Sequence, residues 1–370
     1  MKSDQQISNY QVFCLIVMHS LGSSTLFAFG IRAKQDSWLV VLVGFLCGLA
    51  IIWLHTELQK GYPDKNLAEI NTILLGRWLG GFVTLAFAGY FIWIATLNFS
   101  EFSELVAITM LNTTPVLAIQ ISFVLVILYL TLKNIEVLGR MGELLMPPVI
   151  LGLLLMFLLI VVSGKVNLNN LQPVLAKGIE PVLKEVYPTF STFPYGEDVV
   201  FLMYYCYINK SSALRKYAFS AISLLGSMLM ISSILIISVL GVNLTDASTI
   251  PLIEVSKMIN IGNIITNVDA ITVIVIFIGG LFKSMLFFYG SVLALTTLFK
   301  LKRNIVIIMM SVFLIVSNLT AIPNFIFHRL IGISFTNSYI HELYTIFIPL
   351  LLLLIMWLKK FKKHLQTRST

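Results

Sequence analysis

The chain has 370 residues, of which 58% are hydrophobic and only 11% are charged, with a mean hydropathy of +0.93 and a net charge of +8 at pH 7. A soluble globular domain is about 25% charged, so this composition excludes a chain of water-exposed soluble domains. The basic balance does not favour nucleic-acid binding, because the chain has no large polar segment that could present a basic surface. Apolar runs of roughly 20 residues recur along the whole length and predict an all-α polytopic membrane protein.

Ten membrane-spanning helices are predicted from these apolar runs. In chain order they cover residues 10–31, 38–58, 79–110, 115–132, 142–163, 187–208, 214–240, 264–299, 304–322 and 337–358. The third and the eighth are longer than a bilayer requires, so we expect them to tilt or to extend beyond it. Three connectors are long enough to hold short surface helices, namely residues 59–78, 164–186 and 241–263.

The basic residues predict which side of the membrane holds the termini. With ten spans, 17 of the 25 Lys and Arg residues fall on the side of the N-terminus and 7 fall on the opposite side, while Lys283 lies within a span. An excess of Lys and Arg marks the cytoplasmic side, so both termini are expected to be cytoplasmic. The basic tail 359–370 is interpreted as a topology signal or as a contact for anionic lipid of the bilayer.

Two of the ten spans are interrupted. Span one contains LGSS at Leu21–Ser24, and span six contains FPYGE at Phe193–Glu197. Gly and Ser loosen a helix, whereas Pro removes a backbone donor and clashes with the preceding turn. Each interruption taken alone is also compatible with an ordinary kink or a close-packing site, because Gly and Pro are common in membrane helices.

The positions of the two breaks favour a binding site over ordinary kinks. Span one opens a first group of five helices (about 10–163) and span six opens a second group (about 187–358), with Gly22 and Gly196 174 residues apart. Five helices per half give the halves opposite orientations in the membrane. Matching interruptions in inverted halves indicate a mid-membrane binding site, where half-helix ends offer free N–H and C=O groups. We therefore expect one integral membrane domain built as a 5+5 inverted repeat.

Ionisable residues inside the spans need a physical reason, because each costs about 3 kcal/mol on insertion scales. Lys283 lies about 20 residues into span eight, where it can neutralise a carboxylate, line a polar cavity or stand at the cation position of a transporter. The alternatives are snorkelling to the headgroups, or a static buried pair with Glu101, Glu104 or Glu197. Four acidic residues are predicted to act in gating or in a charge network, and these are Glu101, Glu104, Glu197 and Asp269.

The sequence gives no indication of catalysis. It contains no nucleophile elbow, phosphate-binding loop or hydrolase-type pair of carboxylates, and its histidines have no metal-ligand spacing. The loops between spans are also too short for a separate catalytic domain. We therefore predict a protein that is not an enzyme and that has no catalytic residues, no cofactor and no metal site.

Several short motifs together resemble the B subunits of nutrient germinant receptors of bacterial spores, which belong to the amino acid–polyamine–cation transporter superfamily. The motifs are ISNYQ at 7–11, LGSSTL at 21–26, GYF at 89–91, NLQPVLAKGIEPVL at 170–183, PYGE at 194–197, and NVDA at 267–270 followed by Lys283. Their order and spacing match over essentially the whole chain. The chain departs from the pattern at Asn267, where Arg is common, at Ile276, where Trp is usual, and at Ser24, where Gly is common. These departures indicate a different pocket shape.

The resemblance implies a LeuT-type fold with interrupted helices one and six, and a sensor that binds a small nutrient, often an amino acid. Its pocket would lie between spans one, three, six and eight. By motif position the pocket would include Gly22, Ser23, Ser24, Ile94, Tyr195, Gly196 and Lys283, and the adjacent Asn98, Phe193 and Ser284 complete the predicted ligand-binding set.

The resemblance also implies two partner subunits, an A-type membrane protein and a C-type lipoprotein, and a location in the inner membrane of the spore. The alternative is a proton- or cation-coupled amino acid transporter, because the same helix breaks and buried charges would serve transport. A nucleoside or a sugar also stays open as the ligand.

Overall fold

The computed structural model describes residues 6–24, 28–209, 211–260, 268–321, 332, 336 and 340–368. In these ranges the regular structure is helical, apart from one isolated parallel bridge. Some of the predictions concern residues that the structure does not describe. These are the predicted binding role of the Ser23 side chain, the motif residue Asn267, and the parts of predicted spans at 25–27, 264–267, 322 and 337–339.

The described chain forms twelve α-helices. They are α1 Asn9–Ser24, α2 Ser37–Gly61, α3 Leu67–Leu75, α4 Arg77–Thr109, α5 Val116–Leu132, α6 Ile135–Val162, α7 Glu180–Glu185, α8 Leu214–Ala247, α9 Pro251–Lys257, α10 Asp269–Phe299, α11 Arg303–Ala321 and α12 Ile348–Arg368. Short 3₁₀ and π turns join them, at Ile31–Asp36, Leu168–Leu171, Val186–Phe190, Tyr195–Met203, Tyr205–Tyr207, Ser211–Ala213 and Leu343–Phe347.

These helices account for the predicted spans. Seven helical stretches are long and apolar enough to cross a membrane, and they coincide with predicted spans two, three, five, seven, eight, nine and ten. The shorter apolar helix Val116–Leu132 is span four. Within the described ranges, span six is irregular as expected, whereas span one is α-helical from Asn9 through the LGSS motif to Ser24 and residues 25–27 are not described. The prediction of an all-α polytopic membrane protein is therefore confirmed.

The predicted connector helices are also present, as α3, α7 and α9. Helix α3 begins with a reciprocal cap, in which the Glu69 N–H donates to Asn66 Oδ1 and the Asn66 N–H donates to Glu69 Oε2, each at 3.0 Å. This cap satisfies two backbone donors that a helix start otherwise leaves free. The sequence Asn-x-x-Glu thus explains why the connector turns into a helix at Leu67.

Two span boundaries differ from the prediction. Helix α6 begins at Ile135 and not at 142, because the turn that carries Glu136 and Arg140 continues the helix beyond the apolar run. Helix α8 runs past 240 to Ala247, but Gly241 has a φ of +70° within it, so its backbone turns where the apolar run ends. Apolar runs locate the membrane crossing, whereas helices extend into the polar flank.

The centre of the molecule is the contact between α4, α10 and α1. A Cβ atom on Gly22 would lie 2.6 Å from the carbonyl carbon of Gly279, and a Cβ on Gly279 would lie 2.7 Å from the Gly22 Cα. Side chains larger than hydrogen would therefore force the two helices apart at this point. Small residues at a helix crossing let backbones approach and gain dispersion contacts, which is how membrane helices associate. This contact fixes the end of α1 against the middle of α10.

A short backbone bridge ties the start of α1 to the end of span six. The Ile7 N–H donates to the Tyr207 carbonyl at 2.9 Å, and the Asn209 N–H donates to the Ile7 carbonyl at 3.2 Å. Both segments lie at the N-terminal side of the bundle. The two interrupted spans are thus joined by main-chain hydrogen bonds at one end.

We expect Gly279→Ala to destabilise the protein by about 1–3 kcal/mol, because the new methyl group overlaps the Gly22 backbone, which cannot rotate away. The measurement is the free energy of unfolding in mixed micelles titrated with SDS. The matched control is Gly89→Ala in α4, where an added Cβ meets no atom within 4 Å. Equal stability of the two variants would contradict the close packing of α1 on α10.

Candidate functional site: a buried charge cluster at the interrupted helices

Span six is not a regular α-helix. Its backbone passes from the π turn Val186–Phe190 through Pro194 into the 3₁₀ helix Tyr195–Met203. Pro194 has no N–H and cannot continue an α-helical ladder. Gly196 allows close approach to the last span, since a Cβ there would lie 3.0 Å from the Thr345 Cβ. The break places two adjacent acidic side chains in the protein interior.

The first of these acids forms an ion pair with the lysine of span eight. Lys283 Nζ contacts Glu197 Oε2, and the two side chains are 0% and 3% exposed. Nζ also lies 4.8 Å from the centroid of the Phe193 ring, a distance at which a cation is attracted to an aromatic face. Snorkelling of Lys283 is therefore excluded, and among the three acids considered from the sequence its partner is Glu197.

A histidine and a tyrosine extend this ion pair. His341 Nε2 lies 3.5 Å from Glu197 Oε1, and His341 Nδ1 is hydrogen-bonded to the Tyr90 hydroxyl at 2.7 Å. The His341 ring also stacks on Phe193, with centroids 6.2 Å apart. Both carboxylate oxygens of Glu197 thus face a nitrogen. The cluster connects α4, span six, α10 and the start of span ten.

The second acid connects span six to α1. The Ser20 hydroxyl donates to Asp198 Oδ1 at 2.9 Å, and His19 Nδ1 lies 3.1 Å from the same oxygen. The three residues are fully buried. The His19 ring packs against Phe287 of α10, with centroids 4.9 Å apart. This second group lies directly beside the first along the chain, because Glu197 and Asp198 are neighbours.

Several buried polar atoms around the two groups have no hydrogen-bond partner among the described residues. They are His19 Nε2, Asp198 Oδ2, and the hydroxyl oxygens of Tyr195, Tyr205 and Ser284. Buried polar atoms nearly always have a partner, from protein or ordered water. These atoms are therefore suited to contact water or the polar groups of a small molecule.

The structure brings together one part of the predicted ligand-binding set. Phe193 and Lys283 touch, and Ser284 follows Lys283 in the fully buried middle of α10. Tyr195 turns towards α2, where its ring occupies the space that a Cβ on Gly48 would need. Gly196 faces span ten instead. Phe193, Tyr195 and Gly196 at the break therefore face three different neighbours, namely α10, α2 and span ten.

Two other residues of the predicted ligand-binding set form side-chain hydrogen bonds with backbone carbonyl groups of their own helices. Ser24 Oγ donates to the Ser20 carbonyl, and the Asn98 side-chain amide donates to the Ile94 carbonyl at 2.8 Å. Gly22 packs on α10, one helical turn from Lys283. Their roles in binding stay predictions.

The other acids of the predicted charge network lie away from Glu197. Glu101 is buried in the later part of α4 and lines a separate cavity. Glu104 is partly buried one turn further along the same helix. Asp269 stands in the first turn of α10, about 20 Å along the helix from Lys283 at 1.5 Å per residue. A single network of the four acids stays a prediction that the geometry does not favour.

Sequence reasoning did not assign the partners His341, Tyr90 and Asp198 to the site. His341 and Tyr90 are 251 residues apart, and no local pattern relates them. A usable signal did exist for Asp198 and His19, because each stands beside one of the two breaks and each is ionisable within a span. Pairing the ionisable residues of the two breaks would have predicted their contact.

We expect Lys283→Met and Glu197→Gln each to destabilise the protein by about 3–5 kcal/mol, because each leaves an uncompensated buried partner. The double variant is expected to lose less than the sum of the two losses. Unfolding free energies in a double-mutant cycle provide the measurement. The control is Glu57→Gln, which breaks a partly exposed pair with Arg215 and is expected to cost about 1 kcal/mol or less. Additive losses at 197 and 283 would contradict the pair.

Comparison with known proteins identifies the family. A family model described as "Spore germination protein" matches residues 6–326. Spore germination protein KB of Bacillus subtilis (strain 168) is 32% identical over 357 residues, which covers 96% of each chain. Spore germination protein YndE of the same organism is 27% identical over 270 residues, 73% of each chain.

Solved structures confirm the fold. MhsT in complex with L-phenylalanine superposes with a TM-score of 0.64 at 16% identity, over 96% of this chain and 99% of that one. A Na⁺-coupled sialic acid symporter superposes with the same TM-score at 13% identity, over 93% and 80% of the two chains. Both are LeuT-type transporters, so the predicted 5+5 fold is confirmed. Together with the family match, these comparisons show that the chain belongs to the spore germination protein family.

Proposed function

We propose that this protein is the nutrient-binding membrane subunit of a spore germinant receptor. It would lie in the inner membrane of the spore with both termini on the cytoplasmic side, and would signal to an A-type membrane subunit and a C-type lipoprotein. The names of the curated relatives, all spore germination proteins, support this assignment. The observation that carries the ligand proposal is the buried Lys283–Glu197 pair at the helix break.

The ligand proposed for this site is a free amino acid. A zwitterion has the same two charges as the pair, so its carboxylate can bind Lys283 while its ammonium group binds Glu197. Such an exchange leaves no buried charge without a partner, which is the condition for charges in a low-dielectric interior. The complex of MhsT with L-phenylalanine supports this choice, since it shows the same fold with an amino acid.

Binding at this pair would also provide a signal. A ligand shifts a conformational equilibrium only if it binds one arrangement better than the other. A molecule inserted between Lys283 and Glu197 would favour the arrangement in which α10 and span six are further apart. That displacement would be the change read by the partner subunits.

Transport is the second candidate, because the two solved structures compared above are of transporters with the same fold, and one of these is Na⁺-coupled. A transporter releases its ligand on the opposite side of the membrane, whereas a receptor needs only to bind it. Accumulation of labelled amino acid in proteoliposomes that contain this chain alone would establish transport. Flat uptake beside clear binding would favour the receptor.

We expect at least one L-amino acid to raise the thermal midpoint of the purified protein in nanodiscs, by an amount equivalent to about 2.7 kcal/mol at a ligand concentration 100-fold above Kd. Ser284→Ala is expected to weaken this response without changing the midpoint of the free protein, because the Ser284 hydroxyl has no hydrogen-bond partner among the described residues. Lys283→Met is expected to abolish it.

The control variant is again Glu57→Gln, whose response to the amino acid should equal that of the unmodified chain. The same panel includes sugars and nucleosides. Stabilisation by one of those and by no amino acid would overturn the zwitterion proposal. Spores that lack this chain and still germinate normally with every nutrient and mixture would overturn the receptor proposal.

A further inference from the structure

His19 of α1 and Asp198 of span six form a buried pair that the function proposed above does not use. Asp198 Oδ1 accepts a hydrogen bond from the Ser20 hydroxyl at 2.9 Å and lies 3.1 Å from His19 Nδ1. Because a carboxylate only accepts hydrogen bonds, Nδ1 carries the proton of this contact. Neither side chain of the pair has any exposed surface. We call His19 and Asp198 the acid–histidine pair.

The charge of the acid–histidine pair depends on one further proton. With a proton on Nδ1 alone, the histidine is neutral, the aspartate is ionised, and the pair carries one negative charge. A second proton, on His19 Nε2 or on Asp198 Oδ2, makes the pair neutral. Both of these atoms are buried, and neither has a hydrogen-bond partner among the described residues. The geometry therefore leaves a place for one more proton on either member of the pair.

The neutral form suits the surroundings of the pair. A buried net charge loses its hydration, and this loss is costly unless other polar groups replace the water. The His19 ring packs against the rings of Phe201 and Phe287, with centroids 5.4 Å and 4.9 Å away. Aromatic rings cannot replace the hydration of a carboxylate, and the Ser20 hydroxyl is a single donor.

Three further ionisable groups face the pair, and they are Glu197 and Tyr205 of span six and Lys283 of α10. Glu197 and Lys283 form an ion pair, so these two together add no net charge beside Asp198. Helices α2, α3, α6, α8 and the start of span ten also pack against α1 or span six. Within the described part of the chain, none of their ionisable side chains has a hydrogen bond or an ion pair with His19 or Asp198.

We propose that the acid–histidine pair is a proton-binding site that holds one exchangeable proton at neutral pH. The proton keeps the contact between α1 and span six free of net charge. Its release leaves a buried carboxylate one residue from Glu197, and adjacent buried acids repel each other. The contact between these two spans therefore weakens as the pH rises. The proposal does not depend on the amino acid ligand proposed for Glu197 and Lys283.

The test counts the protons held by the ligand-free full chain, which is unfolded with SDS in mixed micelles. The series runs from about pH 7.5 to about pH 9, where an unfolded His or Asp binds almost no proton. A proton bound only in the folded state makes the unfolding equilibrium constant rise about tenfold per pH unit, until the folded pair releases it. Asp198→Asn is expected to remove this contribution, because the amide is neutral without a proton and keeps an oxygen for the Ser20 hydroxyl.

A second variant replaces both partners, His19→Phe together with Asp198→Leu, and so leaves neither member of the pair without its partner. It should lose the same single proton, and it keeps the test decisive if Asp198→Asn does not fold. The matched control is Asp36→Asn. Asp36 is also a buried aspartate, but it caps the start of α2 and accepts from the Leu175 N–H at 2.9 Å and not from a histidine. Its replacement should leave the pH dependence unchanged.

Equal pH dependence of the unmodified chain and of the variants at Asp198 would overturn the proposal. So would a dependence that is lost in His341→Gln and kept in Asp198→Asn, because the proton would then belong to the other histidine of the charge cluster. A stability that responds to Na⁺ at constant pH, and not to pH at constant Na⁺, would assign the position to a metal cation and overturn it as well. Since no amino acid is present, these results are independent of the ligand proposed above.

Discussion

A charge that cannot face lipid determines how this protein is built. Lys283 lies in the middle of an apolar span with no exposed surface, so it requires an acid, an aromatic face and a polar surrounding within the protein. Glu197 and Phe193 meet that requirement, and both come from the break in span six. The break in turn requires the last span to approach closely, which Gly196 permits. A regular helix in span six would satisfy the backbone hydrogen bonds, but it would not place the side chains of Phe193 and Glu197 together beside Lys283.

The same requirement explains why five spans converge on one point. Glu197 faces His341, and His341 is held by Tyr90, while the adjacent Asp198 is held by Ser20 and His19. These partners come from span ten, α4 and α1. Buried polar groups of this kind contribute less to stability than to the choice of one arrangement over others, because a single displaced partner leaves a costly unpaired group. These contacts therefore favour one arrangement of the five spans over others.

Much of the architecture could be predicted from the sequence. Apolar runs locate the spans, and the motif FPYGE correctly predicts that span six is irregular. The prediction that Lys283 could pair with Glu197 was among the alternatives, but sequence could not select it over Glu101 or Glu104, since all three acids lie within spans.

Helix ends were missed at α6 and α8, because the apolar run reports the membrane crossing and not the helix. The contribution of His341 was invisible, because a lone histidine in an apolar span has no signature of its partner. The close contact of Gly22 with Gly279 was likewise outside the reach of sequence, as the two glycines belong to separate motifs.

The backbone bridge between Ile7 and the end of span six has a mechanical consequence. It couples the two interrupted spans at the membrane face that holds the N-terminus. Separating the coupled ends requires the loss of these two main-chain hydrogen bonds. The bridge therefore provides a fixed point about which the two interrupted spans would pivot if they moved relative to one another.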